Sequence, residues 1–100
     1  MTDLNKKTII VDIDGTLTKE TKGHDYASRT PRKNIINKVN KLYRNHNIIL
    51  WTSRLGMGND KSITKKWLKE NNVKYNQLIF GKRKYDLWVD DMSKKPEELL

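Results

Sequence analysis

Four short apolar blocks, each halted by polar or charged residues, constrain this 100-residue chain more than any other feature. Thr8-Ile9-Ile10-Val11-Asp12-Ile13 is a β-branched run ending in Asp-Gly, the pattern of a buried strand entering a turn. Ile48-Ile49-Leu50-Trp51 runs into Thr52-Ser53-Arg54, and Leu78-Ile79-Phe80 into Gly81 and the basic Lys82-Arg83-Lys84. Leu87-Trp88-Val89 ends at Asp90-Asp91. Residues 14–30 read as a loop, after which Thr30-Pro31 reads as a helix start, with Thr as cap and Pro at the first helical position. Ile35, Ile36, Val39, Leu42 and Tyr43 then recur at spacings of three and four, until Asn45-His46-Asn47 ends the helix. A second helix starts at Asn59 or Asp60, runs to about residue 70 and offers Ile63, Trp67 and Leu68 as its apolar face. Pro96-Glu97-Glu98-Leu99-Leu100 reads as a terminal helical turn.

The order β-α-β-α-β-β predicts an α/β layer structure with a mainly parallel sheet of about four strands. Strands this apolar fit a sheet covered on both faces. In such sheets ligands bind beyond the carboxyl ends of the strands, so all four blocks deliver their polar groups to one rim. Residues 81–85 are few for a parallel crossover, which takes about a dozen residues. The fourth strand is therefore expected to be short, or its connection to run diagonally under the rim.

The length fits a single domain over residues 1–100. The chain holds 24 Leu, Ile, Val and Phe, above the level of roughly 20% at which disorder becomes the expectation. The absence of Cys excludes a disulfide framework, a thiolate nucleophile and cysteine-ligated zinc. No apolar run approaches membrane-spanning length and the first residues carry no signal-peptide pattern, so a cytoplasmic protein with no membrane partner is expected. The net charge of +9 suits nucleic acid, an anionic surface or phosphorylated substrates. AT-rich coding accounts for much of it, because 16 Lys, 10 Asn and 9 Ile dominate the composition.

At the predicted rim, Asp12 and Asp14 stand at i and i+2 and project to one side of an extended chain. An ordinary Asp-Gly turn would explain them alone. Together with Asp90 and Asp91 they put four of the chain's 12 acids at strand ends, where they repel one another unless a cation lies between them. Mg²⁺ is the expected ion, since it takes one or two carboxylates, waters and substrate phosphate. Thr52 and either Lys82 or Lys84 can then hold phosphate oxygens. Outside the four acids, 21 basic residues face eight acidic ones, so a strongly basic surface surrounds an acidic pocket and draws phosphate esters toward it.

These residues carry a resemblance to the haloacid dehalogenase-like (HAD) phosphatases. Asp12-Ile13-Asp14-Gly15-Thr16-Leu17-Thr18 resembles the first family motif, Thr52 after an apolar strand the second, Lys82 the third and Asp90-Asp91 the fourth, all in family order. Asp25-Tyr26 and Pro31-Arg32 are also similar to a pattern in small capsular-polysaccharide-biosynthesis phosphatases. The resemblance implies a small three-layer Rossmann-like core without a cap domain, since only residues 17–30 and 53–59 occupy the insertion points. It implies an Asp12 nucleophile, an aspartyl-phosphate intermediate and Asp14 as acid and base. It also implies Mg²⁺ on Asp12, the Asp14 carbonyl and Asp91, with Asp90 as ligand or in support. Thr52 and Lys82 become phosphate-binding groups, with Lys84 as the alternative lysine. Ser53 and Arg54 join them as substrate contacts, although Arg54 reads equally as a solvated surface residue.

The expected activity is a Mg²⁺-dependent phosphomonoesterase acting on a phosphosugar or another small phosphate ester, with a homo-oligomer able to complete an open pocket. A polynucleotide-end phosphatase is the first alternative. The charge favours it, but no aromatic-basic stacking surface supports it. A non-catalytic phosphate-binding or signalling module is the second, and it is disfavoured because phosphoreceiver domains place their acidic pair first. Trp51, Trp67 and Trp88 read as core, and Lys61, Lys65, Lys66 and Lys69 as a solvated helix face. His24 and His46 have no metal-site spacing, and Met57 reads as a substrate contact or loop filler.

Overall fold

The protein is described from a computed structural model over residues 6–19 and 26–81. Three strands, β1 (Thr8–Val11), β2 (Asn47–Trp51) and β3 (Gln77–Ile79), form a parallel sheet in the order β1-β2-β3. Helix α1 (Lys33–Tyr43) connects the first pair and α2 (Asp60–Glu70) the second. Right-handed crossovers between strands laid down in sequence order send both helices to one face. Val11 pairs with Leu50 and Leu50 with Leu78, and these residues turn toward the helices with Ile9 and Ile48. The alternate residues Ile10, Ile49, Trp51 and Ile79 turn the other way.

This is the α/β parallel arrangement expected from the apolar blocks and the Rossmann-like core that the resemblance implies, with Ile35, Ile36, Val39 and Leu42 of α1 and Trp67 and Leu68 of α2 in one core. The two sheet faces differ, however. Ile10 is 53% exposed and Ile79 38%, so β-branched composition alone did not reveal that one face is well covered and the other open at these positions. Trp67 is core, whereas Trp51 is only half-buried. The expected fourth strand at 87–89, its short connection, Trp88 and the terminal turn lie outside the described residues.

Helix α1 begins at Lys33 rather than at Thr30-Pro31. The backbone there is committed elsewhere: the Lys19 N–H donates to Thr30 O at 2.8 Å, and the Arg32 N–H to Leu17 O at 2.7 Å. This antiparallel bridge between Thr18 and Pro31 outcompetes the local capping signal. Helix α2 stops where expected, through a left-handed Asn72 (φ 55°). The Asn72 N–H bonds Lys69 O and the Val73 N–H bonds Leu68 O, a Schellman closure with Val73 tucked into the core. Asn40 of α1 grips the chain beyond it, donating to Asn72 O at 2.8 Å and accepting the Lys74 N–H at 2.9 Å. Among the described residues no helix is long and apolar enough to cross a membrane.

The unequal faces predict unequal mutational costs. Leu50→Ala, in the covered face, is expected to cost about 2–5 kcal/mol of unfolding free energy. Ile10→Thr should fall near the roughly ±0.5 kcal/mol of a surface change. Urea denaturation of the two variants checks this, and equal costs would contradict the assignment of faces.

Candidate active site

Strand β1 ends at Val11, and Asp12 and Asp14 sit in the turn that follows. Ile13 and Leu17 are fully buried and anchor that turn in the core. Gly15 adopts φ 82°, a left-handed conformation that a side chain disfavours. The turn closes through the Thr18 N–H to Ile13 O at 3.1 Å and the Gly15 N–H to Thr18 Oγ1 at 3.2 Å. Asp12 keeps an extended backbone and its Oδ1 accepts the Ile13 N–H at 2.9 Å. Burial alternates from Val11 to Asp14, so the two carboxylates share the more open side, as their spacing predicted.

Thr52 and Arg54 arrive on the next strand. The Thr52 N–H continues the ladder to Ile79 O at 2.9 Å, and its fully buried Oγ1 accepts the Arg54 N–H at 3.1 Å. Arg54 Nε donates to Asp14 Oδ2 at 2.9 Å and Nη2 to Asp14 Oδ1 at 2.7 Å, a two-pronged charge-assisted pair. Nη1 donates to Thr64 Oγ1 at 2.9 Å, and the Tyr26 ring lies 4.0 Å from the guanidinium carbon. The Arg54 side chain is only 1% exposed, which excludes the solvated-surface reading. A buried guanidinium is costly to desolvate unless its donors are satisfied, and here each nitrogen has an acceptor.

Sequence reasoning missed three contributors. Arg29 brings its Nε to 3.7 Å from Asp14 Oδ1 and lies 5.6 Å from the Tyr26 ring centre. Its carbonyl accepts the Trp67 Nε1–H at 2.8 Å. Tyr26 stands out in the sequence only through the Asp25-Tyr26 pattern. Thr64 had one available signal, a polar residue in register with Trp67 and Leu68 on the buried stripe of α2. Arg29 had none, because it follows no apolar block.

Of the predicted site residues, Asp12, Asp14, Thr52, Ser53 and Arg54 converge at the carboxyl ends of β1 and β2, with Asp14 and Arg54 in direct contact and Ser53 half-buried between Thr52 and Arg54. Lys82, Lys84, Asp90 and Asp91 lie outside the described residues. Among the described residues no three acidic or imidazole groups gather as a metal cage. What Asp12 and Asp14 offer is oxygen donors only, the set that suits a hard cation such as Mg²⁺. The loop beyond Arg54 is tied to β3 by the Gly81 N–H to Arg54 O at 2.8 Å, with Leu55 and Met57 exposed. Gly56 has φ 72°, and a Cβ there would stand 2.9 Å from Phe80 Cγ, so glycine lets the loop press on that ring.

The model of the polynucleotide kinase PNKP phosphatase-domain family matches residues 6–97. The chain belongs to this family, a phosphatase family of the HAD superfamily. A crystal structure of a structural-genomics target from Vibrio cholerae is similar, with a TM-score of 0.81 and 28% identity over 93% of this chain and 86% of that one. A chain in the structure of a Pnkp1/Rnl/Hen1 complex shares the fold at TM-score 0.58 and 18% identity, over 89% of this chain and 32% of that one. No curated protein matches the chain.

The Arg54–Asp14 pair should be measurable as a coupling. Arg54→Ala is expected to cost about 3 kcal/mol, the low end for a broken buried pair, because Asp14 remains 26% exposed. A double-mutant cycle with Asp14→Ala, read by urea denaturation, should return a coupling above roughly 1 kcal/mol. Additive costs would mean that the pair does not form in solution.

Proposed function

We propose, on the premise of that family membership, that the chain is a Mg²⁺-dependent phosphomonoesterase acting on a phosphorylated polynucleotide end through an aspartyl-phosphate on Asp12. The observation that carries this reading is the Asp12–Asp14 turn, braced by the two-pronged Arg54 pair beside buried Thr52. The family match supports the substrate class, and so does the +9 charge, which suits a polyanion. The substrate thereby shifts from the phosphosugar expected at first to the polynucleotide end.

Asp12 attacks phosphorus with a carboxylate oxygen while the ester P–O bond breaks. Asp14, protonated on one oxygen in place of one of its Arg54 bonds, gives that proton to the departing oxygen. It then takes one from a water whose oxygen bonds to phosphorus as the Asp12–phosphorus link breaks, releasing inorganic phosphate. Arg54 holds the Asp14 carboxylate by both oxygens, so its role is to aim that group. Thr52 Oγ1 accepts the Arg54 N–H and keeps its own proton to donate to a phosphoryl oxygen. Ser53 and the Asp14 N–H assist, since the Ile13 and Gly15 N–H groups are spent on Asp12 and Thr18, and Lys82, or Lys84, offsets developing charge. The Asp12 carboxylate, the Asp14 carbonyl and Asp91, with Asp90 in support, would hold Mg²⁺, which would supply positive charge to offset the repulsion between an anionic nucleophile and an anionic phosphate.

Phosphate release from 3′- and 5′-phosphorylated oligonucleotides and from phosphosugars, with and without Mg²⁺, tests the reading. Asp12→Asn should fold normally and release phosphate only at background, and full turnover by that variant would remove Asp12 as nucleophile. Affinity for single-stranded oligonucleotide should fall with salt, at a log–log slope of about −0.7 per phosphate neutralised. A flat salt response together with turnover of phosphosugars alone would overturn the polynucleotide assignment.

A further inference from the structure

Helix α2 carries none of the motif residues, yet one of its faces reaches both cations that meet Asp14. The buried stripe of an amphipathic helix is ordinarily apolar, and α2 departs from this at Thr64, which is fully buried beside Trp67 and Leu68. The Thr64 hydroxyl oxygen is the acceptor for Arg54 Nη1 at 2.9 Å. One turn later, the Trp67 indole N–H holds the Arg29 carbonyl at 2.8 Å. Residues spaced i and i+3 share a helix face, so a single rigid element registers both arginines.

The geometry gives Thr64 a specific task. A carboxylate gripping two nitrogens of a guanidinium fixes their separation but leaves the joined pair free to swing as a unit. The bond from the third nitrogen to Thr64 removes that swing, and the Tyr26 ring at 4.0 Å limits tilt out of the plane. Asp14 is thereby referenced to α2 as well as to its own turn. We infer that Thr64 is a positioning residue for Asp14, acting through Arg54 to aim the carboxylate at the departing oxygen of the substrate. This rests on the proposed phosphatase mechanism, and it extends that mechanism to a helix without catalytic side chains.

The test compares Thr64→Val, which keeps shape and removes the acceptor, with Thr64→Ser, which restores it. Two substrates are used: an alkyl phosphate, whose departing oxygen needs a proton, and p-nitrophenyl phosphate, whose departing oxygen does not. Thr64→Val should lower kcat/KM for the alkyl ester about tenfold and spare kcat/KM for the aryl ester, because that ratio reports the steps up to departure of the alcohol, where only the alkyl oxygen needs the Asp14 proton. Attack of water on the intermediate, where Asp14 takes a proton for both esters, enters kcat alone. Thr64→Ser should recover most of the loss. In parallel, the Arg54 Nη1–H resonance, assigned by its disappearance in Arg54→Lys, should move toward the free-arginine position in Thr64→Val, because Nη1 is the nitrogen that Thr64 accepts from. Equal loss of kcat/KM on both substrates would reduce Thr64 to a purely structural role, and an unchanged kcat/KM for the alkyl ester or an unmoved Arg54 resonance would likewise overturn the inference. If the wild-type protein releases phosphate from neither ester and from no phosphorylated oligonucleotide, the phosphatase reading fails, while the resonance still decides whether Thr64 orients Arg54.

Discussion

A guanidinium buried to 1% exposure must be fully solvated by protein, and much of the described site follows from meeting that demand at Arg54. Its acceptors come from three stretches of chain remote in sequence: Asp14 after β1, Thr64 in α2 and the ring face of Tyr26 in the segment before α1. The main chain on either side is fixed as well, with the Arg54 N–H on Thr52 and its carbonyl taking the Gly81 N–H. Loss of this side chain would therefore release the first turn, α2 and the segment before α1 from one another, while the main-chain bonds to Thr52 and Gly81 would remain. The site and the fold share one tie.

The parts of the molecule legible in sequence were those written by local periodicity. Ile35, Ile36, Val39 and Leu42 spelled out the buried face of α1, and the halts at Asp12, Thr52 and Gly81 marked the rim to within a residue of the strand ends. Less legible was anything decided by long-range pairing. The Thr30-Pro31 start signal was sound as local chemistry but yielded to the bridge with residues 17–19. Arg54 was singled out by its position, yet no spacing rule reveals that a residue 40 positions earlier takes up its charge.

Composition proved a poor guide to role. The abundance of Asn reads as coding bias, and part of it is structural all the same. Asn72 accepts the left-handed geometry that ends α2, Asn40 clamps the following chain, and Asn76 pairs with both backbone groups of Ile48, accepting its N–H at 2.7 Å and donating its own to Ile48 O at 2.8 Å. These amides hold the short path from α2 into β3 in place of a larger apolar core. Lys61, Lys65, Lys66 and Lys69, by contrast, behave as composition suggested: all four are exposed, and the Lys66–Glu70 pair at 3.8 Å is a surface contact of small energetic weight.

The bridge between Thr18 and Pro31 bears on how such a protein can change over evolutionary time. Its two hydrogen bonds close the base of the excursion between residues 19 and 30, so the first turn does not depend on the length of chain within it. Lengthening a loop that is already closed costs only about 0.6 kcal/mol per doubling. Tyr26 and Arg29 sit on the returning limb and contact Arg54 and Asp14. New sequence is therefore tolerated best where it leaves residues 26–30 and their contacts in place. The stitched base makes this stretch a graft point, where a lineage could acquire a lid or a recognition module while its reaction centre stayed intact.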